Sequence, residues 1–268
     1  MDLRFQDVRF TYPSGVDAIK GVSLEVPGGQ RLAIVGQNGA GKTTLVRLLN
    51  GIFQPTSGVV QVGDWDTTGH SIAQLSARVG YVFQNPDEQL FARKVIDDVA
   101  FGPKNLGFDD DRAEALVAAA LEQTGLTSEA ETHPHHLSLS ERKRVALAAV
   151  LAMDTPVVVL DEPTTGQDEH GVRMIAAIVA KLQAEGRTVI AITHDMDFCA
   201  ENFDRVVAMA QGEILADDLP EAVFGMDTIL DTARVEAPQL ARLAHALGWT
   251  TRPLTIDSFV DSLPAHRK

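Results

Sequence analysis

The residues best suited to chemistry are Lys42 and Thr43, which close the run V-G-Q-N-G-A-G-K-T-T at residues 35–44. The run satisfies G-x-x-x-x-G-K-[ST], a pattern whose physical purpose is to hold a chain of phosphates. Several backbone N–H groups must converge on one anion, so the turn has to be tight and free of side chains; Gly36, Gly39 and Gly41 meet that need. Lys42 brings a full charge to the outer phosphates, and the Thr43 hydroxyl is placed to ligate Mg2+. A second constellation lies at residues 156–163, P-V-V-V-L-D-E-P, an apolar run that ends in Asp161 and Glu162. Adjacent strand residues face opposite ways, so these carboxylates serve different ends: one suits a Mg2+ shell, the other suits taking a proton from water. Gln84 and His194 also close apolar runs, where ligands of open α/β sheets collect. Ser138, with Glu141 three residues on, has the form of a capping box, and the helix it starts is either a second anion site or an ordinary capped helix. Tyr12 fits core packing or a stacking platform for a flat base.

The surrounding pattern supplies elements to hold these groups. Leu32, Ala33, Ile34 and Val35 read as a buried parallel strand, and residues 42–50 as a helix with Leu45, Leu48 and Leu49 on one face and Gly51 as its C-cap. Residues 3–10 alternate with one slip of phase, and residues 22–26, 58–63, 80–84, 156–161 and 188–193 add further strands. Residues 72–79 and 168–186 read as helices, and Gln211-Gly212 as the turn of a hairpin. Between residues 94 and 137 no strand pattern occurs and residues 109–123 are helical, which predicts a helical insertion between two sheet strands. The tail is helical, with Leu240, Leu243, Ala244 and Leu247 on one stripe that needs cover.

Composition narrows the function. With 268 residues, 45% hydrophobic and 22% charged, the chain can bury a sizeable core. A net charge of −14 repels nucleic-acid phosphate, so no nucleic-acid partner is expected. The single cysteine, Cys199, excludes an internal disulfide framework and suits a reducing compartment. The start M-D-L-R-F-Q-D does not read as a signal peptide, and Asp154 interrupts the longest apolar stretch, so any membrane role is expected to come through a partner. His133, His135 and His136 share a proline-bearing loop with no cysteine, and metal binding there is not expected.

Taken in order, these motifs resemble the ATP-binding subunit of ABC transporters over about residues 3–225. F-T-Y-P at 10–13, V-F-Q-N-P-D-E-Q-L-F at 82–91 and L-S-L-S-E-R-K-R-V-A-L-A at 137–148 are similar to the energy-coupling factor (ECF) group, which takes up cobalt, nickel and vitamins. The resemblance implies an α/β P-loop NTPase core at residues 1–225: a mixed sheet with a parallel core, an antiparallel β subdomain and a helical subdomain at about 92–153. Residues 226–268 would form a helical extension that dimerises. It implies an ATPase using Mg2+. Tyr12 would stack on adenine, and Gly36, Gln37, Asn38, Gly39, Ala40, Gly41, Lys42, Thr43 and Thr44 would hold the phosphates. Thr43, Gln84 and Asp161 would serve the Mg2+ shell, Glu162 would be the general base, and His194 would contact the γ-phosphate. Ser138, Ser140 and Glu141 would act in trans on ATP held by the opposing subunit, and the loop 165–168, ending in Asp168, would cross the dimer interface.

The implied partners are ATP, a second ATPase subunit (identical or paralogous), an integral-membrane coupling subunit and a substrate-binding membrane subunit, with the chain peripheral on the cytoplasmic face. The alternatives are the ATPase of a conventional ABC transporter or a soluble ABC-type ATPase. One departure stands out: the family signature is usually L-S-G-G-Q, whereas Leu139 and Ser140 stand at its glycines here. A Cβ at 140 would crowd the approach to the γ-phosphate, so Ser140→Gly is expected to raise turnover. The acidic loop Asp87-Glu88-Gln89 is expected to meet basic side chains of the membrane partner.

Overall fold

The structure is a computed structural model that describes residues 1–266. Its first strand, β1 (Leu3–Thr11), pairs antiparallel with β2 (Asp17–Val26). The phase slip in the sequence is a β-bulge: Asp7 takes φ +43°, and the register shifts between Phe5 and Val8. The bulge returns Val8 and Phe10 to the face of Leu3 and Phe5, and all four are buried. It needs Gly58 opposite, because a Cβ there would lie 2.3 Å from the Asp7 carbonyl oxygen. The chain then runs through β3 (Arg31–Val35) and α1 (Lys42–Arg47) before β4 (Ser57–Val62) and β5 (Trp65–Asp66) complete a four-stranded sheet in the order β2-β1-β4-β5.

The short α2 (Ile72–Leu75) leads to β6 (Val79–Val82). Three helices follow without a strand: α3 (Val95–Asn105), α4 (Asp110–Gln123) and α5 (Leu139–Ala152). After them β7 (Val157–Asp161), α6 (Glu169–Ala184), β8 (Thr188–Ile192) and α7 (Met196–Asn202) lead to the hairpin β9 (Arg205–Ala210) and β10 (Glu213–Asp218). The hairpin turns on Gln211 and Gly212, both at positive φ as a type I′ turn requires. The second sheet has the order β10-β9-β3-β8-β7-β6, with only β10 antiparallel to its neighbour. Both faces of this sheet are covered, which is why β7 and β8 are buried at every residue. Val158, Leu160, Val189 and Ala191 face the helices α3 to α6, whereas Val157, Val159, Ile190 and Ile192 face α1 and the antiparallel sheet.

Several boundaries differ from the sequence expectation. The first helix ends at Arg47 with Leu48 as its C-cap rather than at Gly51; its last turn tightens, with Leu48 N–H bonding the Leu45 carbonyl and Leu49 N–H the Val46 carbonyl. Residues 72–79 form one short turn of helix, not a helix of eight residues. β6 stops at Val82, so Gln84 lies in the loop beyond the strand, and β2 begins at Asp17, before its apolar pattern starts. The tail comprises α8 (Pro220–Phe224), α9 (Asp227–Ala233), α10 (Gln239–Ala246) and α11 (Ile256–His266). In α10 the buried residues are Ala241 and Ala244, and of the expected stripe Ala244 is buried and Leu240 half-buried, while Leu243 and Leu247 are exposed. No helix among the described residues is long and apolar enough to cross a membrane.

Two of the three phosphate-pattern glycines are required by packing. A Cβ on Gly36 would lie 2.1 Å from the Met209 carbonyl oxygen of β9, and one on Gly41 would lie 2.6 Å from the Ala18 carbonyl oxygen of β2. Gly39, at φ +80°, has nothing within 4 Å of such an atom. Gly39→Ala therefore carries only the left-handed backbone cost, about 1–2 kcal/mol, which lowers the midpoint of thermal unfolding by roughly 2–8 °C. Gly36→Ala must move a central strand, and thermal unfolding should show a drop of more than about 10 °C or no cooperative transition.

Candidate active site

Parallel strands β3, β7 and β8 end at one edge of the sheet, and the residues that follow them meet there. A cleft of about 130 Å3 is lined by residues 38–44, Gln84, Asp161, Glu162, Ile192 and His194. The fold thus gathers into one place polar groups spread over more than 150 positions of sequence. On the loop, Lys42 is buried and its ammonium donates to the Gly36 carbonyl at 2.5 Å and the Gln37 carbonyl at 3.0 Å. Burial holds Lys42 below the ordinary lysine pKa, against the pull of Glu162 and Asp161.

Asp161 closes β7 on the same face as Val157 and Val159. Its Oδ2 accepts from the Tyr81 hydroxyl at 2.7 Å and the Thr43 hydroxyl at 3.3 Å. Burial raises the Asp161 pKa, while Tyr81, Arg47, Thr43 and Lys42 oppose the rise. Glu162 does not continue the strand. It takes φ +52°, a left-handed conformation costly for any residue but glycine, and its backbone N–H bonds the Ile192 carbonyl of β8 at 2.9 Å. Its side chain is buried and turns to His194: Oε2 accepts from the His194 backbone N–H, and Oε1 lies 3.3 Å from His194 Nε2. Burial raises the Glu162 pKa as well, with His194 the strongest counterweight, which moves this carboxylate toward the range of a useful base at neutral pH. His194 Nε2 also lies 3.0 Å from Asn38 Oδ1, so the imidazole stands between the glycine loop and Glu162.

The donor set fits Mg2+ carried by a nucleotide. The Thr43 hydroxyl, the Asp161 carboxylate and the Gln84 amide that line the cleft offer hard oxygen ligands, too few for a complete protein cage. Magnesium is held in this way, by one or two protein groups together with substrate phosphates.

Tyr12 packs at the edge of the core beneath the antiparallel sheet. Its ring packs edge-on against Phe10 and Phe53, yet it is only partly buried, and its hydroxyl lies 2.7 Å from Thr44 Oγ1. Ser138, Ser140, Glu141 and Asp168 lie outside the cleft of their own chain. Ser138 and Glu141 form a complete reciprocal capping box at the start of α5. Asp168 caps α6 by accepting from the Gly171 N–H at 2.8 Å. The Ser140 hydroxyl donates to Gln167 Oε1 at 2.7 Å, and Gln167 Nε2 donates to the Ser140 carbonyl at 3.2 Å. Within its own chain, Asp87 of the acidic loop pairs with Arg142 of α5 at 2.5 Å, and Glu88 lies 3.9 Å from Arg47, with both carboxylates still about half exposed. Gln89 bridges the Phe83 N–H and the Ala146 carbonyl.

Three contacts near the site escaped sequence reasoning. Lys143 donates to the Glu162 carbonyl at 3.0 Å, Gln167 holds Ser140, and Tyr81 holds Asp161. Only Tyr81 left a signal: a phenol in the all-buried strand G-Y-V requires a partner for its hydroxyl.

Comparison with known proteins agrees with this geometry. The family model for the ABC transporter matches residues 19–165. A putative ABC transporter ATP-binding protein of Methanothermobacter marburgensis is 43% identical over 241 residues, covering 89% of this chain and 86% of that one. An energy-coupling factor transporter ATP-binding protein, EcfA, of Methanosphaera stadtmanae is 37% identical over 271 residues, covering 97% of each. Among solved structures, cbiO1 of Clostridium perfringens, part of the ABC transporter complex cbiONQ, superposes with a TM-score of 0.74 at 35% identity, covering 92% of this chain and 98% of that one. A glycine loop, a strand-end carboxylate pair and a histidine gathered at one sheet edge, in a chain with these relatives, place it in the ABC transporter ATP-binding family, within the energy-coupling factor group.

Proposed function

We propose that this chain drives an ECF-type importer by binding and hydrolysing ATP on the cytoplasmic side of a membrane, taking up a metal ion or a vitamin through integral-membrane partners. The observation that carries the reading is Glu162, buried with a raised pKa and held by His194 beside Lys42 and Thr43.

Residues 36–44 would cradle the phosphates, with Tyr12 against the base and Lys42 exchanging its loop carbonyls for phosphate oxygens. Thr43, Asp161 and Gln84 would hold Mg2+, whose chemistry is neutralisation of charge on the β- and γ-phosphates. Glu162 would take a proton from water as that water attacks the γ-phosphoryl group; the bond to the β-phosphate oxygen breaks, and ADP and inorganic phosphate result. His194, anchored to Asn38 and Glu162, would contact the γ-phosphate.

A second ATPase subunit, identical or related, would complete each site. Ser138, Ser140 and Glu141 lie outside the chain's own cleft at the exposed start of α5, which suits action on ATP held by the opposing subunit, with Asp168 near the crossing. Residues 226–268 would extend that dimer, for which the exposed Leu243 and Leu247 offer apolar surface. Residues 92–153 would face the coupling subunit. The loop after Gln84, its carboxylates Asp87 and Glu88 about half exposed, would meet basic side chains of the coupling subunit, with Gln89 as a brace between the end of β6 and α5.

Two outcomes follow. Glu162→Gln should cut ATP hydrolysis by the assembled complex about 10²–10⁴-fold. In the nucleotide-free chain it should raise the midpoint of thermal unfolding at neutral pH. The sign follows from linkage: a carboxyl whose folded pKa is raised is penalised by folding when ionised, so the penalty grows as pH rises through the ordinary carboxylate range and an uncharged isostere removes it. The Ser140 pair separates crowding from tethering. Ser140→Gly removes both Cβ and the Gln167 bond, whereas Ser140→Ala removes only the bond. Crowding predicts faster ATPase turnover in the glycine variant alone; equal turnover in both variants and the parent would discard that idea.

A further inference from the structure

The phenol of Tyr81 is 6% exposed and does not line the cleft, yet its hydroxyl makes the shorter of the two hydrogen bonds to Asp161 Oδ2. Among the described residues no hydrogen bond reaches Asp161 Oδ1, although Asp161 lines the cleft. One carboxylate oxygen is therefore committed to the protein and the other is left for a ligand.

The strand that carries Tyr81 cannot drift. Gly80 donates its N–H to Thr155 Oγ1, and a Cβ on Gly80 would lie 2.6 Å from Val150 and 2.8 Å from Thr155. Tyr81 pairs in register with Val159, two residues before Asp161 on the same face of β7. Its ring packs against Phe83 at 4.9 Å, and the Arg47 guanidinium lies over Phe83 at 5.7 Å. The phenol is thus held in a packed strand and against the Phe83 ring, with the Arg47 guanidinium near it, and its hydroxyl donates to Asp161.

We propose that Tyr81 is a positioning residue for the cation site: its hydroxyl pins Oδ2 of Asp161, so that Oδ1 and the Thr43 hydroxyl present a preset pair of oxygens to the divalent cation of the bound nucleotide. The inference rests on reading Asp161 and Thr43 as the Mg2+ groups. Without the pin, the carboxylate rotates about its terminal bond and the cation must order it on binding. Groups that orient metal ligands in this way are typically worth about 10–100-fold in metal affinity.

The test uses the full-length chain saturated with a non-hydrolysable ATP analogue, titrated with Mn2+ in place of Mg2+ and read by the loss of the free-Mn2+ paramagnetic resonance signal. Tyr81→Phe keeps the ring and its packing. It should raise the Mn2+ concentration at half-saturation about tenfold, while affinity for the analogue in EDTA changes less than about twofold. Incorporating 3-fluorotyrosine at position 81, which keeps a hydroxyl, should restore Mn2+ binding to near the parent value. A general structural role would weaken binding equally with and without metal, and that result overturns the proposal. So does an unchanged Mn2+ titration in Tyr81→Phe, provided the parent chain shows tight nucleotide-dependent Mn2+ binding. If the parent chain shows none, it is the assignment of Asp161 and Thr43 to the cation that falls, and the proposal falls with it.

Discussion

Two carboxylates buried side by side at the end of β7 are the constraint to which the rest of the site answers. Removing a charge from water is expensive, and folding tolerates Asp161 and Glu162 only because donors surround them. Tyr81 and Thr43 serve one; His194 and Thr165 serve the other. Lys42 adds a buried positive charge between them and the glycine loop, felt by both. The arrangement remains under-neutralised, since burial still raises both carboxyl pKa values. A positive charge brought close to them would lower that cost.

The backbone contributes as much as the side chains. Glu162 can turn away from the strand because its N–H finds the Ile192 carbonyl and its own carbonyl finds Lys143. Those bonds offset a left-handed conformation and aim the carboxylate at His194 rather than along the sheet. The glycine loop is seated in a comparable way, pressed against the carbonyls of Ala18 and Met209 so closely that a methyl group would not fit.

The inserted helices are joined to this chemistry through α5. Lys143 meets Glu162, Ser140 and Gln167 exchange two hydrogen bonds, and Gln89 links the end of β6 to Ala146. The Arg142–Asp87 pair adds geometry more than energy, because Asp87 is close to half exposed and such pairs are weak in water. α5 is thus bonded both to the loop after Gln84 and to the segment from Glu162 to Gln167.

Much of this was legible in the chain itself. The glycine spacing, the apolar runs ending in Gln84, Asp161, Glu162 and His194, the capping box at Ser138 and the Gln211-Gly212 turn are local signals, written within a few residues by periodicity and backbone preference. Contacts between distant segments were not. No periodicity could say that Tyr81 lies beside Asp161, that Ser140 finds Gln167, that Asp87 is engaged by Arg142, or that Gly36 makes way for Met209. The stripe of α10 was divided for the same reason: the pattern shows that a face is apolar, but only the packed body decides that Ala244 is covered while Leu243 and Leu247 are not. Local sequence thus determined which groups stand at the ends of strands and helices, since those elements form from neighbours in the chain. Tertiary packing alone decided which of the groups touch, since that depends on strand order and on where burial leaves a polar atom in need of a partner.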